Sequence, residues 1–341
     1  METEMKVRSF FILDENFLLH RKRALRLLEL MQEHHKAWAL SVFSSARVIK
    51  SYTMEQLAGL GICWVWMGVE GQSSQYRKLQ DVNTFELVKE LQSHGIRVLG
   101  SSIIGLETHT PENINDVIAY AVSHNTVFHQ FMLYTPNPGT PLYEQHLADG
   151  TLLPESEFPR ADAHGQYRFN YRHKHFKNGE EEQILISAFQ KDFEQNGPSL
   201  LRLFETMLNG WRRYKNHPEA RIRNRVRWET APLRSSYAGG LWAMRVWYRD
   251  NDVMYRKADR LLKEVCQEFG ILTKLAAPII GKVIYYKLRN EARRLSQGWQ
   301  YEPKCFYEKN EAARHLENSQ PAANPKESKP GQIICEPSAI R

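Results

Sequence analysis

The feature that most constrains this chain is an alternation, over its first 143 residues, of apolar runs of strand length with segments of helical period. VRSFFIL (Val7 to Leu13) is continuous and apolar, as expected of a strand covered on both faces. It runs into Asp14-Glu15-Asn16, after which Ala24, Leu27, Leu28 and Met31 share one face of a helix. ALSVFSSA (Ala39 to Ala46) is the second strand. Thr53, with Gln56 three residues on, has the form of a capping box that opens a short helix, and Gly61 stops it. CWVWMGVEG (Cys63 to Gly71) and IRVLGSSIIGL (Ile96 to Leu106) are the third and fourth strands, separated by a helix over Phe85 to His94 that Gly95 closes. Thr110-Pro111-Glu112 reads as a cap with proline in the first helical position, for a helix running to about His124. VFHQFMLYTP (Val127 to Pro136) is the fifth strand. Five such strands, each followed by a helix or a long loop, predict parallel β/α units. Right-handed crossovers curl such units into a barrel or a doubly wound sheet.

Past Pro154 the character changes. Residues 151–180 are polar and rich in histidine and aromatics, which predicts a linker or loop. Residues 181–311 read as helical, with a break at Asn196-Gly197-Pro198 and helices over Tyr237 to Phe269 and Lys274 to Trp299. Residues 312–341, which include QPAANPKESKPG, have the composition of a disordered tail. The 341 residues, 42% hydrophobic and 25% charged, suffice for two globular domains. No apolar run is long enough to span a membrane. METEMKVRSFF lacks the layout of a secretory signal, so we expect a cytoplasmic protein. The net charge of +7 divides into −3 over residues 1–150 and +10 over 151–341. A basic half of this kind marks either solvated helix faces or a nucleic-acid or membrane surface. The four cysteines, Cys63, Cys266, Cys305 and Cys335, form no C-x-x-C clip, so no metal site is local in sequence.

Ligands of β/α folds bind at the C-terminal ends of the strands, where loops are free to carry polar groups. The first strand offers Asp14, Glu15 and Asn16 there, the third Glu70, the fourth Ser101, Ser102, Gly105 and Glu107, and the fifth His129, Gln130, Tyr134 and Thr135. Each has a plainer explanation. Asp-Glu-Asn serves equally as a turn that caps the next helix. Gly100 and Gly105 relieve packing as readily as they admit a ligand. Glu70 is harder to dismiss, since a buried unpaired carboxylate costs several kcal/mol. His129 faces either core or cavity. His164, His173 and His175 lack the accompanying carboxylate or thiol of a metal site. Arg221, Arg223, Arg225 and Arg227, beside Trp228, would form a basic stripe on a strand but scatter around a helix. No phosphate-binding glycine loop and no nucleophile elbow is present.

Taken in order, FFILDENFL, GVEG, VLGSSIIGLETHTPENI and HQFMLYTPNPGTPLYE resemble the radical S-adenosylmethionine enzymes, most closely the group that often carries an N-terminal cobalamin-binding domain. The resemblance covers about residues 7–145 and continues weakly into the helical part. It implies an α/β fold, a partial (β/α) TIM-type barrel holding about strands 2–6 over residues 1–150, followed by a mainly α-helical C-terminal domain. It also implies an S-adenosylmethionine site. Asp14, Glu15 and Asn16 stand at the acidic-Asn motif, and Glu70 faces the ribose. Ser102, Ile103 and Gly105 form the strand that packs on the adenine, in an I-x-G motif matched by Ile103-Ile104-Gly105. Tyr134 and Thr135 come from the sixth strand. No catalytic residue is assigned. The family's radical arises at a [4Fe–4S] cluster held by C-x-x-x-C-x-x-C, and this sequence has no such motif. The expectation is therefore a truncated enzyme, the C-terminal portion of a longer one. Its full-length relative would carry the cluster, with cobalamin in some members, and drive methylation or rearrangement of an organic substrate. A separate chain supplying the cluster or the cobalamin domain is the partner this implies. Two other readings stay open: a nucleic-acid- or protein-binding module using the basic half, and a non-radical barrel enzyme with Glu70 and His129 as acid and base.

Overall fold

The computed structural model describes residues 2–69, 82–158, 167–177 and 179–298. In its first part a short helix α1 (Glu2–Met5) precedes strand β1 (Ser9–Phe11), helix α2 (Arg21–Glu33) and strand β2 (Ala39–Phe43). Helices α3 (Ala46–Ile49) and α4 (Met54–Leu60) lead to β3 (Ile62–Gly68), and then α5 (Thr84–Ser93), β4 (Arg97–Ile104), α6 (Ile114–Ser123), β5 (Phe128–Leu133) and α7 (Pro141–Ala148) follow. The strands form one sheet in the order β1-β2-β3-β4-β5, every pair parallel. An order without reversal decides between the two architectures the sequence left open. Each right-handed crossover steps the same way, so the helices gather on one face and the sheet curls into a half-barrel. A doubly wound sheet would need a switch of direction.

The local signals explain most boundaries. The Thr53–Gln56 capping box is formed in both directions at 3.1 Å, and Gly61 ends α4 with a left-handed φ of 77°. Three expectations need correction. β1 is three residues long and is not covered on both faces: Phe11 and, just beyond the strand, Leu13 are 51% and 87% exposed, because β1 is the edge of the described sheet and no described residue closes over its inner side. Ala46 belongs to α3 rather than to the second strand. Thr110 does not open the helix: its hydroxyl donates to the Glu112 carboxylate, the Thr-Pro-Glu stretch turns, and α6 begins only at Ile114. The same Thr-Pro signal does work at Thr140-Pro141, where it opens α7. Glu70 and Gly71 at the end of the third strand, His164, and the tail over 312–341 lie outside the described residues.

Beyond α7, Leu152 pairs with Tyr171 in an antiparallel bridge. Phe169, Tyr171 and Phe176 are buried together with Ile104, Ile118, Phe131 and Leu133, so this polar-looking stretch is folded onto β4 and β5. Helices α8 (Glu180–Asn196), α9 (Ser199–Tyr214), α10 (Ala220–Glu229), α11 (Ser236–Trp247), α12 (Asp252–Phe269) and α13 (Ile271–Ser296) complete the chain. The break between α8 and α9 falls at Gly197-Pro198, as the sequence predicts. A core of Leu201, Phe204, Leu208, Leu241, Leu261 and Val265 joins α9, α11 and α12. Residues 1–289 form one compact unit; of the other, 290–341, the described residues finish α13 and the turn after it.

Beside the packing of α8 on α6 and β5, two contacts seat the helical part on the half-barrel. Gly95 and Gly210 bring α9 against the end of α5 backbone to backbone: a Cβ on Gly95 would stand 2.5 Å from the Gly210 Cα. The second contact is made by the arginine stripe, which lies on helix α10 and not on a strand. Arg221 and Arg225, four apart, turn inward and are 6% and 5% exposed. Their guanidiniums donate to Gly59 O at 2.5 Å and Ala58 O at 2.7 Å, carbonyls of the last turn of α4. Arg225 also meets Glu229 at 3.2 Å, and Glu229 receives Arg97 of β4 at 2.7 Å. Arg223 binds the carbonyls of His217 and Pro218, and Arg227 faces solvent. Removing the shared carboxylate leaves two buried cations uncompensated. Glu229→Gln is expected to lower the unfolding free energy by about 3–5 kcal/mol, measurable as a shift in the urea midpoint.

Candidate functional site

Alternation along the strands gives the sheet two unlike faces. Leu40, Val42, Val65, Met67, Val98 and Ile104 point to the helix-covered side and are at most 2% exposed. Their neighbours Phe11, Phe43, Trp64, Trp66, Leu99 and Phe128 line the concave side. The rings pack in a row: Phe11 to Phe43 at 5.1 Å between centroids, Phe43 to Trp66 at 4.8 Å, and Trp64 to Phe128 at 5.6 Å. They floor an open cavity of about 410 Å³ whose lining residues carry no charge. The size and character are those of a pocket for an apolar organic ligand. Ser101 and Gln130, neighbours across β4 and β5, lie one pleat further along the same face. Gln130 Oε1 is buried without a hydrogen-bond partner among the described residues, an acceptor still owed a donor.

The C-terminal strand ends carry the positions named from the sequence, and they fall into two groups. At the β1 edge, Asn16 N–H donates to Asp14 Oδ1 at 3.0 Å and Arg23 pairs with Asp14 at 2.6 Å. These two donors hold the Asp14 carboxyl below the usual carboxylate range. Asn16 Oδ1 accepts from Ser44 Oγ at 2.8 Å, which ties the ends of β1 and β2 together, while Glu15 is exposed. At the other edge, Gly105 takes a φ of +80°, its N–H donates to His109 Nδ1 at 3.1 Å, and its carbonyl accepts from Tyr171 O–H at 2.9 Å. A Cβ on Gly105 would stand 2.3 Å from the Phe169 ring. The close approach this glycine permits is therefore made by a ring of the chain itself. Tyr134 continues the ladder with its N–H on Ile104 O at 2.7 Å and packs edge-on against Tyr171, and Thr135 Oγ bonds back to Leu133 O. Ile103 is half-buried on the concave side.

Ser102 points the other way. Its Oγ shares a hydrogen bond of 3.0 Å with His129 Nε2 on the helix-covered face, where His129 stacks on Phe131 at 4.1 Å. His129 thus faces core and not cavity; Glu70, its counterpart in the acid–base reading, lies outside the described residues. Burial lowers its pKa to about 4. His109 and His173 are also held below the usual histidine range, chiefly by burial. Each accepts two backbone N–H groups on Nδ1, which fixes the proton on Nε2. These two rings are ordered parts of the loop cluster over β4. Among the described residues no group of three histidine, cysteine or carboxylate side chains converges as a metal site. Cys63 is buried in β3 with its thiol on Leu40 O, and Cys266 lies in α12. The residues described do not fit an iron–sulfur cluster.

Sequence reasoning missed the aromatic floor and the covering residues Phe169 and Tyr171, and considered His173 only as a metal ligand. The signal for the first was available, since Trp64 and Trp66 stand two apart, as do Leu99 and Ser101. The second depends on a contact across more than sixty positions of chain, which local pattern does not encode.

No family model matches the chain. It is 28% identical over 157 residues to an uncharacterized methyltransferase of Pyrococcus horikoshii, a stretch covering 44% of this chain and 34% of that protein. The bacteriochlorophyllide d C-8(2)-methyltransferase of Chlorobaculum tepidum matches at 25% over 155 residues, 43% of this chain and 34% of the relative. The hopanoid C-2 methylase of Rhodopseudomonas palustris matches at 24% over 156 residues, 42% and 30%. The chain thus spans about a third of the length of these curated relatives, and its similarity is to methyltransferases.

The buried imidazole makes a pH prediction. Unfolded, His129 takes up a proton near its ordinary pKa of about 6.5, whereas folded it does so only at about 4. The unfolded state binds more protons in between, so stability is complete above the higher value and falls as pH drops towards the lower one. His124, also held low by burial, adds in the same direction. The unfolding free energy from urea titrations should fall between pH 7 and pH 4.5 by on the order of 3 kcal/mol, and His129→Gln should flatten that dependence.

Proposed function

We propose that this chain supplies the S-adenosylmethionine-facing part of a methyltransferase of the radical S-adenosylmethionine type, acting on an apolar substrate. The observation that carries the proposal is the unbroken parallel order of five strands, with the Asp14-Glu15-Asn16 and Ile103-Ile104-Gly105 segments at their C-terminal ends. Methyltransferase relatives support it. In this proposal the half-barrel is the larger share of a TIM-type barrel. When bound, S-adenosylmethionine supplies the methyl group.

The chain's own residues have distinct tasks in holding that molecule. Ile103, on the concave side, offers an apolar contact for the adenine. Gln130 Oε1 offers an acceptor to an amino group, and the backbone around Tyr134 passes beside it. The Asn16–Ser44 pair is a polar contact at the opposite edge. Glu70, matched to the family's ribose contact, lies outside the described residues. Ser102 faces the helices and acts, if at all, through the strand it belongs to. The described residues do not fit a cluster, so no step is derived through one; cluster and cobalamin would belong to other segments or to a partner chain. The uncharged aromatic floor supports an apolar substrate, in keeping with relatives named for a bacteriochlorophyllide and a hopanoid.

Calorimetric titration with S-adenosylmethionine and with S-adenosylhomocysteine tests this. Binding of both is expected, and Gln130→Leu, which deletes one acceptor, should weaken it about fivefold. Ile103→Asp should weaken it more, with the urea midpoint used to show that the variant is folded. Failure of the folded wild-type chain to bind either molecule at millimolar concentration overturns the proposal.

A further inference from the structure

The last described helix is apolar on two opposite sides. Along one, α13 buries Thr273, Ala277 and Gly281 against α11, where a Cβ on Gly281 would stand 2.5 Å from the Trp242 ring. Along the other, Leu272, Leu275, Ile279, Val283 and Tyr286 recur at intervals of three and four and stand 78, 59, 68, 56 and 66% exposed. At about 100° per residue, that stripe is diametrically opposite the buried one. Single exposed apolar residues are ordinary, but a contiguous row of five marks a surface that something covers.

The charge around the stripe says what. Lys282, Lys287 and Arg289 flank it, and no acidic residue occurs between Ile271 and Arg289. None of the three has an ion-pair partner among the described residues. A second copy meeting this face would set basic residues against basic residues. Residues 299–341 of the same chain hold six basic and six acidic residues and so offer no net attraction. A surface of negative charge over an apolar layer satisfies both parts of the pattern at once. Tyr286, 66% exposed, is of a residue type that favours the headgroup level of a bilayer. No described helix is long and apolar enough to cross a membrane, so the contact would lie along the surface.

We propose that α13 is a membrane-surface helix that lies on an anionic phospholipid bilayer, with Leu272, Leu275, Ile279, Val283 and Tyr286 in the interface and Lys282, Lys287 and Arg289 on the headgroup phosphates. From Leu272 to Tyr286 the contact runs about 21 Å. It does not depend on the catalytic proposal above.

Co-sedimentation of the full chain with vesicles tests it. The vesicles are phosphatidylcholine alone, or phosphatidylcholine mixed with phosphatidylglycerol. Binding is expected to the mixed vesicles only, and to weaken as salt is raised. Lys282→Ser with Lys287→Ser should weaken it about thirtyfold. Ile279→Glu should weaken it about tenfold or more. All three residues are exposed, so an unchanged urea midpoint is expected of both variants. Equal binding to neutral vesicles, or no binding to either, overturns the proposal. So does a concentration-dependent dimer that Ile279→Glu dissolves in a chain that ignores vesicles.

Discussion

Everything in the first half of the molecule depends on the strands being parallel and in chain order. A parallel pair can be joined only by a crossover, and five strands in sequence require every crossover to advance the same way. The helices therefore have one face of the sheet to cover, and they cover it completely: Val42, Val65, Met67 and Val98 are sealed. The other face receives none of them. Parallel sheets are normally buried on both sides, so this one keeps an apolar surface that the described crossover helices do not reach. The row of Phe11, Phe43, Trp66, Trp64 and Phe128 is the consequence, a floor made of the residues whose alternate positions the helices did not claim.

The basic surplus of the second half has several separate uses. Arg221 and Arg225 satisfy carbonyls at the end of α4, and Arg225 shares Glu229 with Arg97 at the foot of the sheet. Arg202 grips Asp192 with two bonds of 2.8 and 2.7 Å, and Asn196, bound to the same carboxylate, reaches Val122 O at the end of α6. These cations fasten helices to one another and to the half-barrel. The acids that meet them, Asp192, Glu219 and Glu229, are already counted in the net charge of +10, so these pairs leave the surplus on other residues. Part of it is on α13, where three basic residues stand beside an apolar stripe.

Element types were legible where the chain carries a stereochemical instruction. Thr53 and Gln56 can close a capping box wherever they occur three apart, and Gly61 can take a positive φ at little cost, so α4 was readable to its ends. Asn196-Gly197-Pro198 breaks a helix for similar reasons. Instructions that depend on a third party were not readable. Thr110-Pro111 and Thr140-Pro141 carry one signal, yet only the second opens a helix: Thr140 Oγ accepts the Tyr143 N–H, whereas the Thr110 hydroxyl is taken by the Glu112 carboxylate. The apolar run of β1 gave no sign that half of it faces outward, since a continuous run does not say which side is covered. The alternating arginines looked like a strand because every second residue is basic. At 3.6 residues per turn the same spacing sends Arg221 and Arg225 inward together and leaves Arg227 outside.

Gly105 shows how far a motif carries a site. A glycine at a strand end is compatible with a ligand that needs the backbone close, and the family resemblance reads it so. Here both of its backbone groups are engaged, by His109 and Tyr171, and the space a side chain would need is filled by Phe169. Glycine is thus required at this position by the fold alone. Ser102, in the same motif, is turned away from the cavity towards His129. Neither residue adds independent weight to a binding site, whatever binds there. The weight falls on groups the fold leaves unused: Ile103 on the open side, the unmet acceptor of Gln130, and the aromatic floor below them. A site is best recognised by what the folded chain has not already satisfied, and on that criterion the concave face qualifies where the glycine does not.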